Sequence, residues 1–269
     1  MKSFFRPLHL FHVVILTGLI FSTGFEFSIL LHQRHVLSLE QGLATLRLAR
    51  AAASSARQMT VGIRPLLMAL AQLPAVQEQN TAECDQLFAD FLKQNSQLTN
   101  IFAADASGNL FCSALPHEGP VNASDRLYFQ RALQTHDFSV GDYQIGRISK
   151  KPTVGFGYPV LNATGQVQAV VGVALDLRWL EYFVTTTDLP IGSVITVIDR
   201  NATILARYPD PENLQGQVLP DAPLLKEVLA KHEGTLHRKG LDNIKRLHAF
   251  TSFSITPDDG AYVIIGVPN

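Results

Sequence analysis

The sequence predicts an α+β protein. We expect an N-terminal transmembrane helix and a long stalk helix, followed by two tandem modules that each contain a five-stranded antiparallel sheet. Three observations support this prediction: an uncharged apolar run near the N-terminus, a following segment with apolar residues every three or four positions, and a weak internal repeat. Both copies of the repeat read β-β-α-β-β-β, an order that favours antiparallel pairing with helices mainly on one face of the sheet.

The N-terminal segment predicts a membrane anchor over residues 1–32. No Asp, Glu, Lys or Arg occurs from Pro7 to Phe25, and His12–Phe21 is strongly apolar. At about 1.5 Å per residue, such a helix nearly spans a hydrocarbon core of about 30 Å. Lys2 and Arg6 precede the run, which places the N-terminus in the cytoplasm and exports the chain that follows. A cleaved signal peptide is the alternative, although no A-x-A cleavage pattern follows the apolar core.

The next segment, residues 33–72, predicts a long stalk helix. Gln33–Gln58 is rich in Ala, Leu, Arg and Gln, lacks Pro, and has apolar residues every three or four positions. Gly62 and Pro65 should bend or interrupt this helix. Such a helix either pairs with a second copy in a homodimer or packs along its own domain, and the sequence leaves both alternatives open.

The two predicted modules, residues 73–188 and 189–269, begin alike. Ile101–Ala104 leads to Asp105 and Val194–Ile198 leads to Asp199; four turn-forming residues and a second apolar strand then follow, which is a hairpin signal. The remaining predicted elements are the helices Arg126–Thr135 and Ala222–His232, strands Phe138–Ile145, Thr153–Leu161 and Val167–Leu175 in the first module, and strands Gly234–Arg238, Arg246–Phe253 and Tyr262–Val267 in the second.

Charge and cysteine content narrow the class of protein. The formal net charge is −1 and no Lys/Arg cluster stands out, so we expect no nucleic-acid partner. Cys84 and Cys112 are too few for a disulfide framework. One bridge between them would suit a compartment outside the cytosol, but two buried thiols are the favoured interpretation.

Catalytic and metal-binding motifs are missing from the sequence. G-x-S-x-G, H-E-x-x-H, Walker A and C-x-x-C do not occur. The nine His residues are scattered, and His32 and His35, one turn apart near the membrane, are better read as interfacial residues than as metal ligands. We therefore expect no enzymatic activity from these residues, no metal and no cofactor.

A set of motifs between Asp125 and Leu177 resembles the double Cache (PAS-like) sensor domains of bacterial transmembrane receptors, and the resemblance extends from Gln33 to Val267. In that family the membrane-distal module, here the first, holds a small-molecule pocket, whereas the proximal module usually lacks a ligand. The motifs are Asp125-Arg126-x-Tyr128-Phe129-x-x-Ala132, Gly141-x-Tyr143, Lys151-Pro152, Tyr158-Pro159 and Asp176-Leu177.

The resemblance implies that Arg126 holds a ligand carboxylate and Asp176 an ammonium, because a guanidinium can bind a carboxylate through two parallel hydrogen bonds. The amino-acid-binding branch of the family has Trp where Tyr128 stands, Tyr at Phe129 and an Asp near Ile145. These departures weaken the case for an α-amino acid, so a simple carboxylate or another small polar metabolite remains open.

The remaining candidate ligand residues are Tyr128, Tyr143, Lys151 and Tyr158. Tyrosines can line a pocket and donate hydroxyl hydrogen bonds, but they can equally be core aromatics. Lys151 suits either a pocket rim or a solvated position, and Tyr158 better suits a structural role. Arg126 itself can instead form a structural ion pair with Asp125, Asp142 or Asp176.

These features together predict the extracytoplasmic sensor region of a receptor in the bacterial inner membrane, with the residues after about 33 in the periplasm. The family commonly continues into a diguanylate cyclase, a histidine kinase or a chemotaxis signalling rod, none of which this sequence contains. The alternative is a membrane-anchored module that binds another protein and has no small-molecule ligand.

Overall fold

The computed structural model describes residue 32 and the ranges 39–58, 60–186, 188–253 and 260–268. Nearly all of the predicted transmembrane helix, residues 1–32, lies outside these residues. Within the described ranges, no helix combines the length and the apolarity that crossing a membrane requires. Thr45–Asn269 make up one compact unit of the chain, which contains both modules.

The described part of the predicted stalk is helical. Helix α1 covers residues 39–58, and helix α2 covers Ile63–Leu70. Between them Gly62 keeps a right-handed helical backbone, at φ −70° and ψ −16°. Pro65 is tolerated in the first turn of α2, where its missing N–H would have no partner within the helix. The shorter helices α3, Pro74–Gln77, and α4, Thr81–Gln94, follow.

The first module is a five-stranded antiparallel sheet in the order β2-β1-β5-β4-β3. Its elements are β1 Leu98–Asp105, β2 Leu110–Ser113, α5 Leu127–Thr135, β3 Ser139–Ile145, β4 Pro152–Leu161 and β5 Val167–Asp176, with α6 Leu177–Thr186 after them. The second module repeats this arrangement as β7-β6-β10-β9-β8. Its elements are β6 Val194–Ile198, β7 Ile204–Tyr208, α7 Ala222–Lys231, β8 Glu233–Lys239, β9 Lys245–Phe253 and β10 Ala261–Pro268. The predicted α+β class with two antiparallel five-stranded sheets is confirmed.

The first sheet is covered on both faces, whereas the sequence predicted helices mainly on one. Alternate residues of β5, such as Val171 and Val173, join the core that contains Leu67 of α2 and Phe88 of α4. The intervening residues lie on the opposite face, where Val170 packs with α5. This two-sided burial fits the almost uninterrupted apolar sequence of β5, since a strand buried on both faces needs no polar alternation.

A disulfide joins Cys84 on α4 to Cys112 on β2, with their Cα atoms 5.8 Å apart. The favoured interpretation of two free thiols was therefore wrong. The bond ties the helical layer on one face of the sheet to its edge strand. Because disulfides persist in oxidising compartments, it agrees with an extracytoplasmic location.

Candidate ligand-binding site

A cleft of about 430 Å³ opens on the face of the first sheet that carries α5. It lies between the strands, the N-terminal end of α5 and the turn from β3 to β4. None of the residues that line it is acidic; they are Asn100, Phe102, Leu110, Val121, Asn122, Ala123, Arg126, Tyr128, Gln144, Gly146, Arg147, Ile148, Ser149 and Ala174. In the part of the chain that the structure describes, no three His, Cys, Asp or Glu side chains lie close enough together to hold a metal ion.

Arg126 stands at the mouth of this cleft, where the chain enters α5. It occupies the N-cap position with an extended backbone, at φ −82° and ψ 130°, and its side chain does not cap the helix. The half-buried guanidinium donates one long hydrogen bond from Nη2 to the Ile145 carbonyl oxygen, at 3.4 Å. Within the described ranges it forms no ion pair. Arg126 thus keeps most of its donors available at the entrance.

Arg147, on the β3–β4 turn, is a second guanidinium in the cleft, and it is already neutralised. It donates from Nη1 and Nη2 to the two carboxylate oxygens of Asp125, at 2.8 and 2.7 Å, and from Nη1 to the Asn122 carbonyl oxygen. These hydrogen bonds from Arg147, together with the nearby charges, hold the pKa of Asp125 below its usual range. The positive charge left without a counter-charge at the cleft is therefore that of Arg126.

Tyr128 forms part of the floor of the cleft. Its ring packs against Phe102 with the ring centres 5.8 Å apart, and the Gln144 side chain lies close to its hydroxyl. Burial raises the pKa of Tyr128 to about 12, so the phenol is neutral at physiological pH. The ring fits because β4 carries glycine beneath it: a β-carbon at Gly155 would lie only 2.4 Å from the Tyr128 ring.

Asp176 is the last residue of β5, and its carboxylate forms an ion pair with Arg178. Its partner in the β4 register is Thr153, and two residues earlier Ala174 lines the cleft, so Asp176 belongs to the same face of the sheet. Its carboxylate accepts hydrogen bonds from the Arg178 backbone N–H at 2.9 Å and from Arg178 Nη2 at 2.7 Å. Burial raises the pKa of Asp176, but the Arg178 side chain and backbone outweigh burial and hold it low. Asp176 is therefore an ion-paired carboxylate beyond the lining of the cleft.

The other three predicted ligand residues also lie outside the lining of the cleft. Tyr143 faces the second module, where a β-carbon at Gly216 would be 2.6 Å from its hydroxyl oxygen. Tyr158 packs against the main core, on the opposite face of the sheet from Tyr128. Lys151 follows the β3–β4 turn, close enough to Asp176 for its charge to help lower the pKa of that carboxyl. The structure brings only Arg126 and Tyr128 together in the cleft.

Several polar residues of the cleft were not among the predicted ligand residues. Asn100 is a buried amide within the apolar sequence of β1, which is the kind of exception that can signal a site. It donates to Ser113 Oγ at 3.1 Å and accepts from the Leu115 N–H at 3.2 Å. The other polar residues are Asn122, Gln144, Arg147 and Ser149, which come from loops and the end of β3, where the sequence carries no comparable signal.

A family model described as Cache domain matches residues 34–269. Among solved structures, the extracellular domain of the putative histidine kinase rpHK1S-Z16 is 18% identical, with a TM-score of 0.74 over 87% of this chain and 96% of that one. The ligand-binding domain of the Pseudomonas fluorescens chemoreceptor CtaA, solved with L-isoleucine, is 17% identical, with a TM-score of 0.66 over 88% of this chain and 96% of that one.

A third solved structure is the ligand-binding domain of the Pseudomonas aeruginosa amino acid chemoreceptor PctB in complex with L-Arg. It is 16% identical, with a TM-score of 0.64 over 83% of this chain and 93% of that one. No curated protein matches the sequence. At such identities the solved structures establish a shared fold.

Proposed function

This chain belongs to the Cache domain family, and on that premise we propose that it is the extracytoplasmic sensor region of a membrane-bound signalling receptor. Its first module binds a small polar metabolite in the cleft at the start of α5. The signal passes to a cytoplasmic output domain, a diguanylate cyclase, a histidine kinase or a chemotaxis signalling domain, as the neighbouring structures come from sensor kinases and chemoreceptors. The N-terminal helix anchors the sensor in the membrane.

The observation that carries this proposal is the guanidinium of Arg126. It lies at the mouth of a cleft without acidic lining, its one hydrogen bond is 3.4 Å long, and the neighbouring Arg147 has taken the nearest carboxylate. A half-buried cation with free donors strongly favours an anionic ligand, because a carboxylate satisfies two N–H groups at once. The amides of Asn100, Asn122 and Gln144 line the same cleft and suit further polar groups of the ligand.

The charge of the cleft favours a carboxylate over an α-amino acid. The neighbours CtaA and PctB were solved with L-isoleucine and L-Arg, both of which carry an ammonium beside the carboxylate. Here Asp176, which would hold such an ammonium, is paired with Arg178. A carboxylate ligand whose remaining polar groups are uncharged, such as a hydroxy acid, best matches the side chains that line the cleft.

Strand β3 offers a route from the cleft to the second module. Gln144 lines the cleft, while its neighbours Asp142 and Tyr143 contact the second module. Asp142 accepts a hydrogen bond of 2.6 Å from Arg200 Nη2, and Tyr143 rests on Gly216. A ligand that shifts β3 would therefore shift these contacts, and a coupling of about 1–3 kcal/mol is enough to bias a two-state receptor.

A thermal-shift screen of the purified full chain tests the proposal. The panel contains hydroxy acids, dicarboxylates, α-amino acids, amines and purines, and we expect a rise in melting temperature with a carboxylate. Arg126→Met should abolish that rise. Arg131→Met is the matched control, because Arg131 lies on α5, five residues after Arg126, but does not line the cleft. Equal responses from both variants, or silence across the panel together with a protein partner, would refute ligand sensing at this cleft.

A further inference from the structure

The second module contains a cavity at the place equivalent to the first module's cleft. It has about 380 Å³ of free space, part of which is open to solvent, between β6, β7, β9, β10, the start of α7 and the β8–β9 turn. The first module's cleft lies likewise among β1, β2, β5, α5 and the β3–β4 turn. Apolar residues form much of its wall: Val194, Leu219, Leu224, Leu241 and Ile264. Arg207, Arg246 and His248, whose side chains are largely removed from solvent, also line it.

The two buried arginines differ in how well they are paired. Arg246, whose side chain is 4% exposed, donates from Nη1 and Nη2 to the two oxygens of Asp242 at 2.6 Å each. Its Nε donates to the Gly192 carbonyl oxygen at 3.0 Å. Every edge of this guanidinium therefore has a partner, and its charge is balanced within the cavity wall.

Arg207, only 8% exposed, lacks such a partner. Its Nη1 donates to Thr196 Oγ1 at 2.7 Å, but among the described residues its buried Nε has no hydrogen-bond partner. The nearest carboxylate oxygen is Oδ1 of Asp210, at 3.9 Å from Nε. Both oxygens of Asp210 accept from the Leu214 N–H instead. Burial lowers the pKa of Arg207 in spite of Asp210 and the other acids around it.

The remaining charged and polar groups of the cavity do not neutralise Arg207. Asp221 is paired with Arg238, at 2.7 Å. Burial lowers the pKa of His248 to about 4, so its imidazole is neutral at physiological pH, and its buried Nδ1 has no partner in the part of the chain that the structure describes. Glycine preserves the space beside this ring, since a β-carbon at Gly266 would lie 3.0 Å from His248 Nε2.

We infer that the second module binds a short aliphatic carboxylate in this cavity, at the Nε–Nη2 edge of Arg207. Nη1 is engaged by Thr196, whereas the Nε–Nη2 edge presents two parallel donors, of which the buried Nε has no hydrogen-bond partner among the described residues. The apolar wall receives the alkyl group, and the neutral His248 ring lies beside it. The nearest carboxylate oxygen lies 3.9 Å from the buried Nε, beyond hydrogen-bond distance, so the guanidinium is incompletely paired and an anion that supplies acceptors to it binds with a gain in stability.

The test is calorimetric titration and thermal shift of the purified full chain with acetate, propionate and butyrate, in a buffer free of other carboxylates. Sodium chloride at equal ionic strength and neutral propionamide are the controls. We expect a carboxylate to bind and raise the melting temperature. Arg207→Met should weaken binding at least about tenfold, the lower limit for a lost charge-assisted hydrogen bond. Its own melting temperature without carboxylate should equal or exceed that of the wild type, which shows that the variant folds.

Arg126→Met separates this site from the first module's cleft, because it removes the proposed cleft ligand residue and leaves the second cavity intact. We expect Arg126→Met to retain the response to short carboxylates that Arg207→Met loses. A response that survives in Arg207→Met, or the absence of any carboxylate response in the wild type, would overturn the inference. Loss of the response in Arg126→Met would assign it to the first module and equally overturn it.

Discussion

The two modules share one topology and place a cavity at the same point, yet the incompletely paired arginine of each cavity differs in its exposure to solvent. Each contains one guanidinium held by a carboxylate, Arg147 by Asp125 and Arg246 by Asp242. Each also contains one without such a partner: Arg126, half-exposed at an open cleft, and Arg207, 8% exposed in a closed wall. The half-exposed Arg126 is open to solvent screening, whereas the side chain of Arg207 is largely removed from solvent. The shared fold thus places a cavity at the same point in both modules, while the pairing and burial of a few charged groups differ between them.

The largest expected effect concerns the disulfide, a feature of the first module with no counterpart among the described residues of the second. Replacing Cys84 and Cys112 by serine should lower the free energy of unfolding by about 3–4 kcal/mol, because the bond closes a long loop in the unfolded chain. Urea denaturation measures the loss. Reduction of the wild type by dithiothreitol is the control and should give a similar value. A loss below about 1 kcal/mol would show that α4 and β2 stay together without the bond.

Arg246→Met and Arg207→Met form a matched pair within one cavity and isolate the effect of pairing. Arg246→Met leaves Asp242 without its partner; since that carboxylate is 34% exposed, we expect a loss of about 2 kcal/mol, below that for a fully buried pair. Arg207→Met removes a buried charge that has no carboxylate within hydrogen-bond distance and should cost nothing in buffer without carboxylates. Chemical denaturation of both variants measures the difference. Equal losses would mean that the two guanidiniums are equally well paired and that our description of Arg207 is wrong.

The two modules were predictable from the sequence because both repeat an Asp-turn hairpin. Asp105 and Asp199 each accept backbone N–H groups two and four residues ahead, which fixes the same turn in both copies. Arg126 and Tyr128 line the cleft because they stand at the start of a helix that faces it, and their contact with a ligand stays a prediction. These parts depend on local backbone chemistry, which the sequence displays directly.

The rest of the site depends on events that the sequence does not display. Tyr143 and Gln144 face opposite sides of β3, as consecutive strand residues do, and the register shift between Val140 and Tyr143 decides that Gln144 is the one on the cleft side. The carboxylate of Asp176 pairs with Arg178, two residues ahead, only because the chain turns from strand into helix there. The sequence around Arg207 is that of an ordinary strand. The distance between Asp210 and the Arg207 guanidinium depends on the conformation of the loop after β7, which the sequence does not display.

Gly155→Ala tests whether the floor of the first module's cleft depends on close packing. The new β-carbon would lie 2.4 Å from the Tyr128 ring, so the ring must move toward the cleft. We expect a loss of about 1–3 kcal/mol in unfolding free energy, together with weaker binding of any cleft ligand. Gly62→Ala is the control, because a β-carbon there would have no atom within 4 Å and the backbone is helical; it should be neutral or slightly stabilising. Unchanged stability of Gly155→Ala would show that Tyr128 can adjust freely.

The smallest expected effect on stability comes from Asp199, which occupies in the second module the turn position that Asp105 occupies in the first. Asp105 Oδ2 accepts from Asn109 Nδ2 at 3.1 Å, whereas the buried Asp199 Oδ2 has no partner among the described residues. Burial raises the pKa of Asp199, so the folded state keeps its proton to higher pH than the unfolded chain, and stability falls as pH rises from about 4 through that raised pKa. Asp199→Asn removes this cost while its Oδ1 can still accept the backbone N–H groups of Asn201 and Thr203.

Asp199→Asn should therefore exceed the wild type in unfolding free energy by about 1 kcal/mol at pH 7, the low end for a buried unpartnered polar atom. The advantage should shrink as the pH is lowered and vanish once the wild-type carboxyl is protonated in both states. Denaturation curves at several pH values measure it. Asp105→Asn is the matched control and should gain nothing, because its carboxylate has partners for both oxygens. An advantage that stays constant with pH would show that packing, and not the charge of Asp199, separates the two hairpins.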